Sequence, residues 1–437
     1  MRRRICLTLP TNRACTAMVS ALSQEAAHAA EHFDVDVHVL ILDSSGREAF
    51  AEHARTVRDT RQAPDVTVHH LDEAEQRGFL REIIRRSEQA QAERVLALML
   101  PEGVSYGSCT NRAFLIARAL GCESVHRRDS DSRYQLRNGR PVFPVHQELL
   151  SLGKRTSDAA RHVSRTALEP CHEDRRVVLV GGSFIGEMSV DLGEMHRLHQ
   201  GLYHDIVALW APLTWPEEKK RELVDESFKG AGTEAFTHDR SVLGRVDPMR
   251  VDMCNISFFQ VHERVPLLPA TDTIGSDYFL IHLVHAAGLP GVLHNRNIVN
   301  FHTGERRTDS GFTSYQMAFV KFLLSMLYLN WIYTRMGAAG TTLLDQDGAV
   351  RASLVAELVR ESTALDVSEN VARLDVLERS FQRLGGRYAS IADRLTGLRP
   401  RLLEEARRDM EDFALLIDSW DGLMRAASTA GFHQLSR

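Results

Sequence analysis

Apolar and polar positions recur with two different periods along this chain, and the change of period divides it. ICLTLP (5–10) is a short apolar run closed by Pro10, Thr11, Asn12 and Arg13, which predicts a buried strand and its exit turn. From Thr16 to about Phe33, Ala, Val and Leu fall on one helical face. VDVHVLILDSS (35–45) predicts a second strand around Val37, Val39, Leu40, Ile41 and Leu42, ending in Asp43, Ser44 and Ser45. A helix at 46–59, a short strand VTVHHL (66–71) and a charged amphipathic helix at about 72–91 follow. RVLALML (94–100) fits strand or helix. CTNRAFLIARALG (109–121) predicts a helix ended by Gly121, after which CESVHRRD returns to strand. Strands alternating with helices of this length predict a mostly parallel sheet covered on both faces, joined by right-handed crossovers.

Further on, RRVVLVGG (175–182) predicts a strand stopped by two glycines. Residues 191–230 look helical, broken near Trp210, Trp215 and Pro216. MCNISFFQ (253–260) and GVLHNRNIVNFH (291–302) predict strands. Residues 274–288 predict a helix with Phe279, Leu280, Leu283 and Val284 on its apolar face. From about 311 the pattern is helical at 314–336, 348–362, 366–384 and 387–428, punctuated by glycines and Pro400. The expected organisation is a domain at 1–310 and a helical region at 311–437. The first would have one half at about 1–135 and another at about 175–310. The stripe FVKFLLSMLYLNWIY (319–333) reads as core or as a homodimer surface. The stretch 317–336 carries Lys321 and Asn330 and falls short of a clean membrane span.

Composition narrows the classes. With 437 residues, the chain exceeds one ordinary core. A hydrophobic share of 43% and a charged share of 25% are those of a globular protein. The net charge of −5, without a basic block, disfavours nucleic acid as a partner. Cys6, Cys15, Cys109, Cys122, Cys171 and Cys254 show no CxxC spacing, so neither a zinc ribbon nor a thioredoxin motif is indicated. Free thiols in a reducing compartment are expected. After the basic start, ICLTL is too short for a signal peptide, so a cytoplasmic location is expected.

The candidate chemistry centres on VHRRDSDSR. In an extended segment Asp129 and Asp131 share a face and can offer hard oxygens to Mg²⁺ or Mn²⁺. The plainer alternative is a solvated turn paired with Arg127, Arg128 and Arg133. Asp43, at a strand end, can accept from a nucleobase or ribose, or can cap the next helix with help from Ser44 or Ser45. Arg112, beside Asn111, can reach phosphate with both arms or form a surface salt bridge. Gly181 and Gly182 do not complete GxGxxG, and no Walker pattern follows, so dinucleotide and P-loop readings fail.

Taken in order, four stretches resemble a GT-A fold glycosyltransferase of the family-2-like group, over roughly residues 5–305. They are LTLPTNR, VHVLILDSS, CTNRAFLIARALG with VHRRDSDSR, and MCNISFFQ through NIVNFHTGE. The resemblance implies a GT-A type nucleotide-binding sheet with a helical C-terminal addition. It implies transfer of a sugar from a nucleotide diphosphate donor, UDP-linked by preference, to a small-molecule or natural-product acceptor. On it, Pro10, Thr11, Arg13, Asp43, Ser45, Asn111, Arg112 and Asp129 would bind the donor. Asp129, Asp131 and His302 would hold Mn²⁺ or Mg²⁺, with His294 as the rival histidine. Asp277, expected in the first turn of its helix behind Gly275, would be the general base. The chain departs from the family where an acidic pair becomes Ser276–Asp277, where arginines precede the DxD, and in the longer 135–250 region. The alternative is a non-catalytic relative that binds a nucleotide sugar or serves as a scaffold. A nucleotidylyltransferase would carry a glycine-rich loop after its first strand, and LPTNRACT has no glycine.

Overall fold

The computed structural model describes residues 2–60, 63–168, 174–302, 304 and 308–431. Strands β1 (Arg3–Thr11), β2 (Val35–Asp43), β3 (Val66–Leu71) and β4 (Ser124–Arg128) run parallel in the order β3-β2-β1-β4. Beyond β4 the strand Asn255–Phe259 runs antiparallel to it, followed by Leu179–Gly181, Gly291–His294, Ser241–Gly244 and Arg165–Thr166. Among the described residues these nine strands form the main sheet.

Both faces of the sheet are covered, as uninterrupted apolar strands require. Ile5, Leu7 and Leu9 of β1 pack with Val37, Val39 and Ile41 against the helix Thr16–His32. Cys6, Leu40, Leu42 and Val125 face the other way, into a core containing Phe114 and Ile116 of the helix Tyr106–Ala119. The expected α/β class, with a mostly parallel sheet flanked by helices and a helical C-terminal region, is the observed one.

The ambiguous run 94–100 lies mainly in a helix, Ala92–Met99, with Val95, Leu96, Leu98 and Met99 buried. GVLHNRNIVNFH is not one strand. Gly291–His294 belongs to the main sheet, whereas Ile298–Asn300 pairs with Phe184–Gly186 and Ser132–Tyr134 in a second, small sheet. Gly182 is glycine for close packing, because a Cβ there would lie 2.7 Å from Asn255 Nδ2 and 2.8 Å from the His294 ring. Cys171 lies outside the described residues, and the other five cysteines are free.

From Asp309 the chain is helical: Asp309–Ala339, Ala352–Ser362, Ser368–Leu384 and Gly386–Ala430. The last of these runs through Pro400 rather than ending there, giving up one backbone donor. By length and composition the helix beginning at Asp309 is apolar enough to cross a membrane. In the fold its Phe319, Val320, Leu323, Leu324 and Ile332 are buried in the same core as Phe114 and Ile116. The C-terminal helix docks on the sheet side through Trp420, fully buried, whose indole N–H donates to the His262 carbonyl at 2.9 Å.

The end of β4 carries Arg127 and Arg128, and strand alternation sends them to opposite faces. Arg128 is fully buried between Glu25 (2.8 Å) and Glu148 (3.0 Å). His126 Nδ1 meets Glu148 at 2.7 Å, and the Tyr134 hydroxyl donates to Glu25 at 2.5 Å. Burial would lower the Arg128 pKa, but the two carboxylates outweigh it and raise it well above the ordinary value. Removing the one cation from this set leaves two carboxylates without compensation. Arg128→Ala is expected to cost about 3–5 kcal/mol, read as a lower denaturation midpoint. Glu25→Gln, which retains a hydrogen-bonding oxygen, is expected to cost less.

Candidate active site

Five backbone segments meet at one edge of the sheet. Thr11 at the end of β1 is in register with Asp43 at the end of β2. Arg127 in β4 pairs with Thr8 on one side and with Ile256 on the other. Because Asn255–Phe259 is antiparallel, its lead-in Asp252–Cys254 arrives at the edge where β4 leaves. Gly275, with φ +70°, turns the chain so that Asp277 reaches the same place, and a Cβ on it would press within 3.0 Å of the Phe322 ring. Ligands of open α/β sheets bind at this edge. A cleft of about 1220 Å³ opens there, lined by Pro10, Thr11, Arg13, Arg127, Asp129, Asp131, Asp252 and Asp277 and by the two long C-terminal helices.

Arg127 organises the cleft floor. Its side chain is 2% exposed. One arm, Nη2, lies 3.0 Å from Asp129, and the other, Nη1, lies 2.9 Å from Asp277 and donates to the Met253 carbonyl at 2.9 Å. Asp131 is met by Arg13 at 3.1 Å. The Tyr278 hydroxyl donates to Asp252 at 2.5 Å. Burial pushes the Asp129 carboxyl up to about 7. Arg127 opposes the rise, and like charge from Asp131, Asp277 and Asp252 adds to it. Burial also raises the Asp277 carboxyl, against the pull of Arg127. Among the described residues, the carboxylates of Asp129, Asp131, Asp252 and Asp277 gather at this edge with the guanidinium groups of Arg127 and Arg13. This donor set suits a hard divalent cation.

The structure gathers some of the residues expected from sequence and separates others. Pro10, Thr11, Arg13, Asp129, Asp131 and Asp277 line the cleft together. Asp129 and Asp131 do so from a turn between two strands, not from an extended segment. Asp277 lies ahead of its helix, which starts at Phe279, rather than in its first turn. Arg112 also lines the cleft, but its guanidinium donates to Gln76 and to the Met99 carbonyl. Asn111 is fully buried, clamped to both the N–H and the carbonyl of Leu267. Ser45 donates its N–H to Asp43. His302 is not gathered with Asp129 and Asp131. Its Nε2 meets the Met188 carbonyl at 2.8 Å, and its Nδ1 stands 3.6 Å from both Glu187 and Asp191. His294 is buried, with its Nδ1 accepting from the Arg296 N–H. Sequence reasoning missed Arg127, Asp252 and Tyr278 as site residues. The signal for Arg127 was its spacing of two from Asp129, which places both on the cleft side.

Asp43 is 1% exposed and accepts from His53 at 2.7 Å, His70 at 2.8 Å and the Ser45 N–H at 2.9 Å. Burial alone would raise its carboxyl, but these bonds outweigh burial and hold it well below the usual carboxylate range. Asp43, His53 and His70 have the atom types and spacing of a metal site. The hydrogen bonding argues otherwise. The Cys15 N–H donates to His53 Nε2 at 2.9 Å, so that nitrogen carries the lone pair and Nδ1 carries the proton given to Asp43. Coordination through Nδ1 would put a proton on Nε2, facing the Cys15 N–H.

A family model described as a family of unknown function (DUF6271) matches residues 3–436. The chain belongs to that family. No curated protein matches it. Among solved structures, this chain is similar to a mannosyltransferase from Pyrobaculum calidifontis in complex with GDP-Man and Mn²⁺. The identity is 12%, the coverage 99% of this chain and 87% of that one, and the TM-score 0.35. It is also similar to glucosyl-3-phosphoglycerate synthase from Mycobacterium tuberculosis in complex with UDP, at 15% identity, 74% and 80% coverage and a TM-score of 0.35.

The raised Asp129 carboxyl has a consequence for stability. A carboxyl whose folded pKa lies above its unfolded value favours the fold when protonated, and that contribution fades as pH rises from about 4 through about 7. Without divalent cation, Asp129→Asn is expected to stabilise the protein at pH 8 by on the order of 1 kcal/mol, the charge being partly screened by solvent. The gain should vanish at pH 4. Thermal melts at the two pH values check this.

Proposed function

We propose that the protein is a metal-dependent glycosyltransferase, moving a sugar from a nucleotide diphosphate donor, UDP-linked by preference, to a small-molecule or natural-product acceptor. The reading is carried by the gathering of Asp129, Asp131, Asp252 and Asp277 at the carboxyl edge of the sheet, inside one cleft of about 1220 Å³. Asp129 and Asp131 would hold Mn²⁺ or Mg²⁺, which when bound neutralises the departing diphosphate. Pro10, Thr11 and Arg13 line the same end and would lie along the nucleotide.

Asp277 is the base of this reading. Its raised carboxyl binds a proton more tightly than a solvated aspartate does, and Arg127 fixes its direction. It would take the proton from the acceptor hydroxyl as that oxygen attacks the anomeric carbon. The bond from that carbon to the diphosphate oxygen breaks, and the diphosphate leaves with the electron pair. The C-terminal helices wall part of the cleft, and in this reading that wall would keep down the water that competes as acceptor.

The test is nucleotide release from UDP-glucose, UDP-N-acetylglucosamine and GDP-mannose, with and without Mn²⁺. The expected result is Mn²⁺-dependent release from one donor, abolished in Asp131→Ala. Asp277→Asn should slow transfer by about 10²- to 10⁴-fold. Donor binding without turnover would make the protein a nucleotide-sugar-binding relative, and absence of binding would overturn the reading.

A further inference from the structure

We propose that Arg127 is the positioning residue of this site: its two arms fix Asp129 and the base Asp277 at a set spacing, so the donor and acceptor ends of the cleft are aligned by one side chain. The proposal rests on the transferase reading above.

The geometry is that of a fork used in both directions. A guanidinium is planar, with its donors in a rigid arrangement. Nη2 takes Asp129, which precedes the turn carrying Asp131, and Nη1 takes Asp277 and the Met253 carbonyl. Three separate segments are thereby tied to one group: the end of β4, the lead-in of the antiparallel strand, and the turn after Gly275. The backbone of Arg127 is itself held between β1 and Asn255–Phe259. On the next residue, Arg128 anchors the opposite face of the strand to Glu25 and Glu148. A fork mounted so rigidly transmits the position of Asp129 to Asp277. A lysine would keep the charge, but one ammonium on a flexible stem cannot present two arms in a fixed plane. Misplacing a reacting group by about 1 Å costs on the order of 10²-fold in rate.

Two double-mutant cycles test this, one with turnover and one without. In the first, Mn²⁺-dependent transfer is measured for R127K, D277N and the double variant, using the donor the wild type accepts. R127K is expected to lose on the order of 10²-fold in kcat, with the donor KM little changed. The double variant should be no slower than D277N alone. In the second cycle, Mn²⁺ affinity is titrated by electron paramagnetic resonance. D277N leaves Asp129 as the one carboxylate on the fork, with Nη1 still on the Met253 carbonyl; it should weaken Mn²⁺ binding, and in the R127K background that effect should disappear. Thermal melts accompany both cycles, and R127Q provides a second background if R127K does not fold. Wild-type turnover in R127K, losses that multiply in the double variant, or a D277N effect on Mn²⁺ that persists without the fork would overturn the proposal. A wild type that neither binds Mn²⁺ nor turns over any donor would overturn the transferase reading, and this proposal with it.

Discussion

Two consecutive arginines buried at the end of β4 are the constraint on which the rest of the molecule depends. An unpaired guanidinium in a protein interior is costly, so each dictates what surrounds it. Arg128 requires Glu25 on the helix Thr16–His32 and Glu148 on the helix Val145–Ser151, and it gathers both against the sheet. Arg127 requires Asp129 and Asp277 and brings together segments about 150 residues apart in sequence. One arginine thus stabilises the scaffold while its neighbour shapes the cleft. Strand alternation alone assigns those two duties.

The legible part of the sequence was the part governed by local periodicity. The first three strands and their helices follow from apolar runs and turn residues, and β3 falls at Val66–Leu71 as expected. Asp129, Asp131, Asp277, Thr11 and Arg13, which line one cleft, stood out in the sequence because they sit at the ends of such runs. The failures have physical causes. Asn111 and Arg112 carry the groups of a phosphate site, but tertiary packing turns them toward the Leu267 backbone and toward Gln76 and Met99. His302 belongs by order to the metal shell, but the segment 187–191 holds its ring. Asp252 was invisible because its relevance comes from an antiparallel strand, and direction cannot be read from a five-residue apolar run.

The polar groups at the strand ends also show how similar chemistry can serve different ends. Asp43 and Asp129 are both acids at the carboxyl edge of the sheet. Asp43 is saturated by two imidazoles and an amide, and its charge is satisfied within the fold. Asp129 has one guanidinium arm and several like-charged neighbours. The first is finished as a structural element, and the second is held among like charges. That contrast, more than residue identity, separates the candidate site from its surroundings.

The helices after Asp309 share one apolar interior with the helix Tyr106–Ala119 and also supply a wall of the cleft. Substitutions in that wall of the cleft therefore also touch the seam that seals the sheet's helices. Sequence drift should be slow along that seam. It should be faster at the rim, where Arg394 and Arg401 are exposed and border the opening.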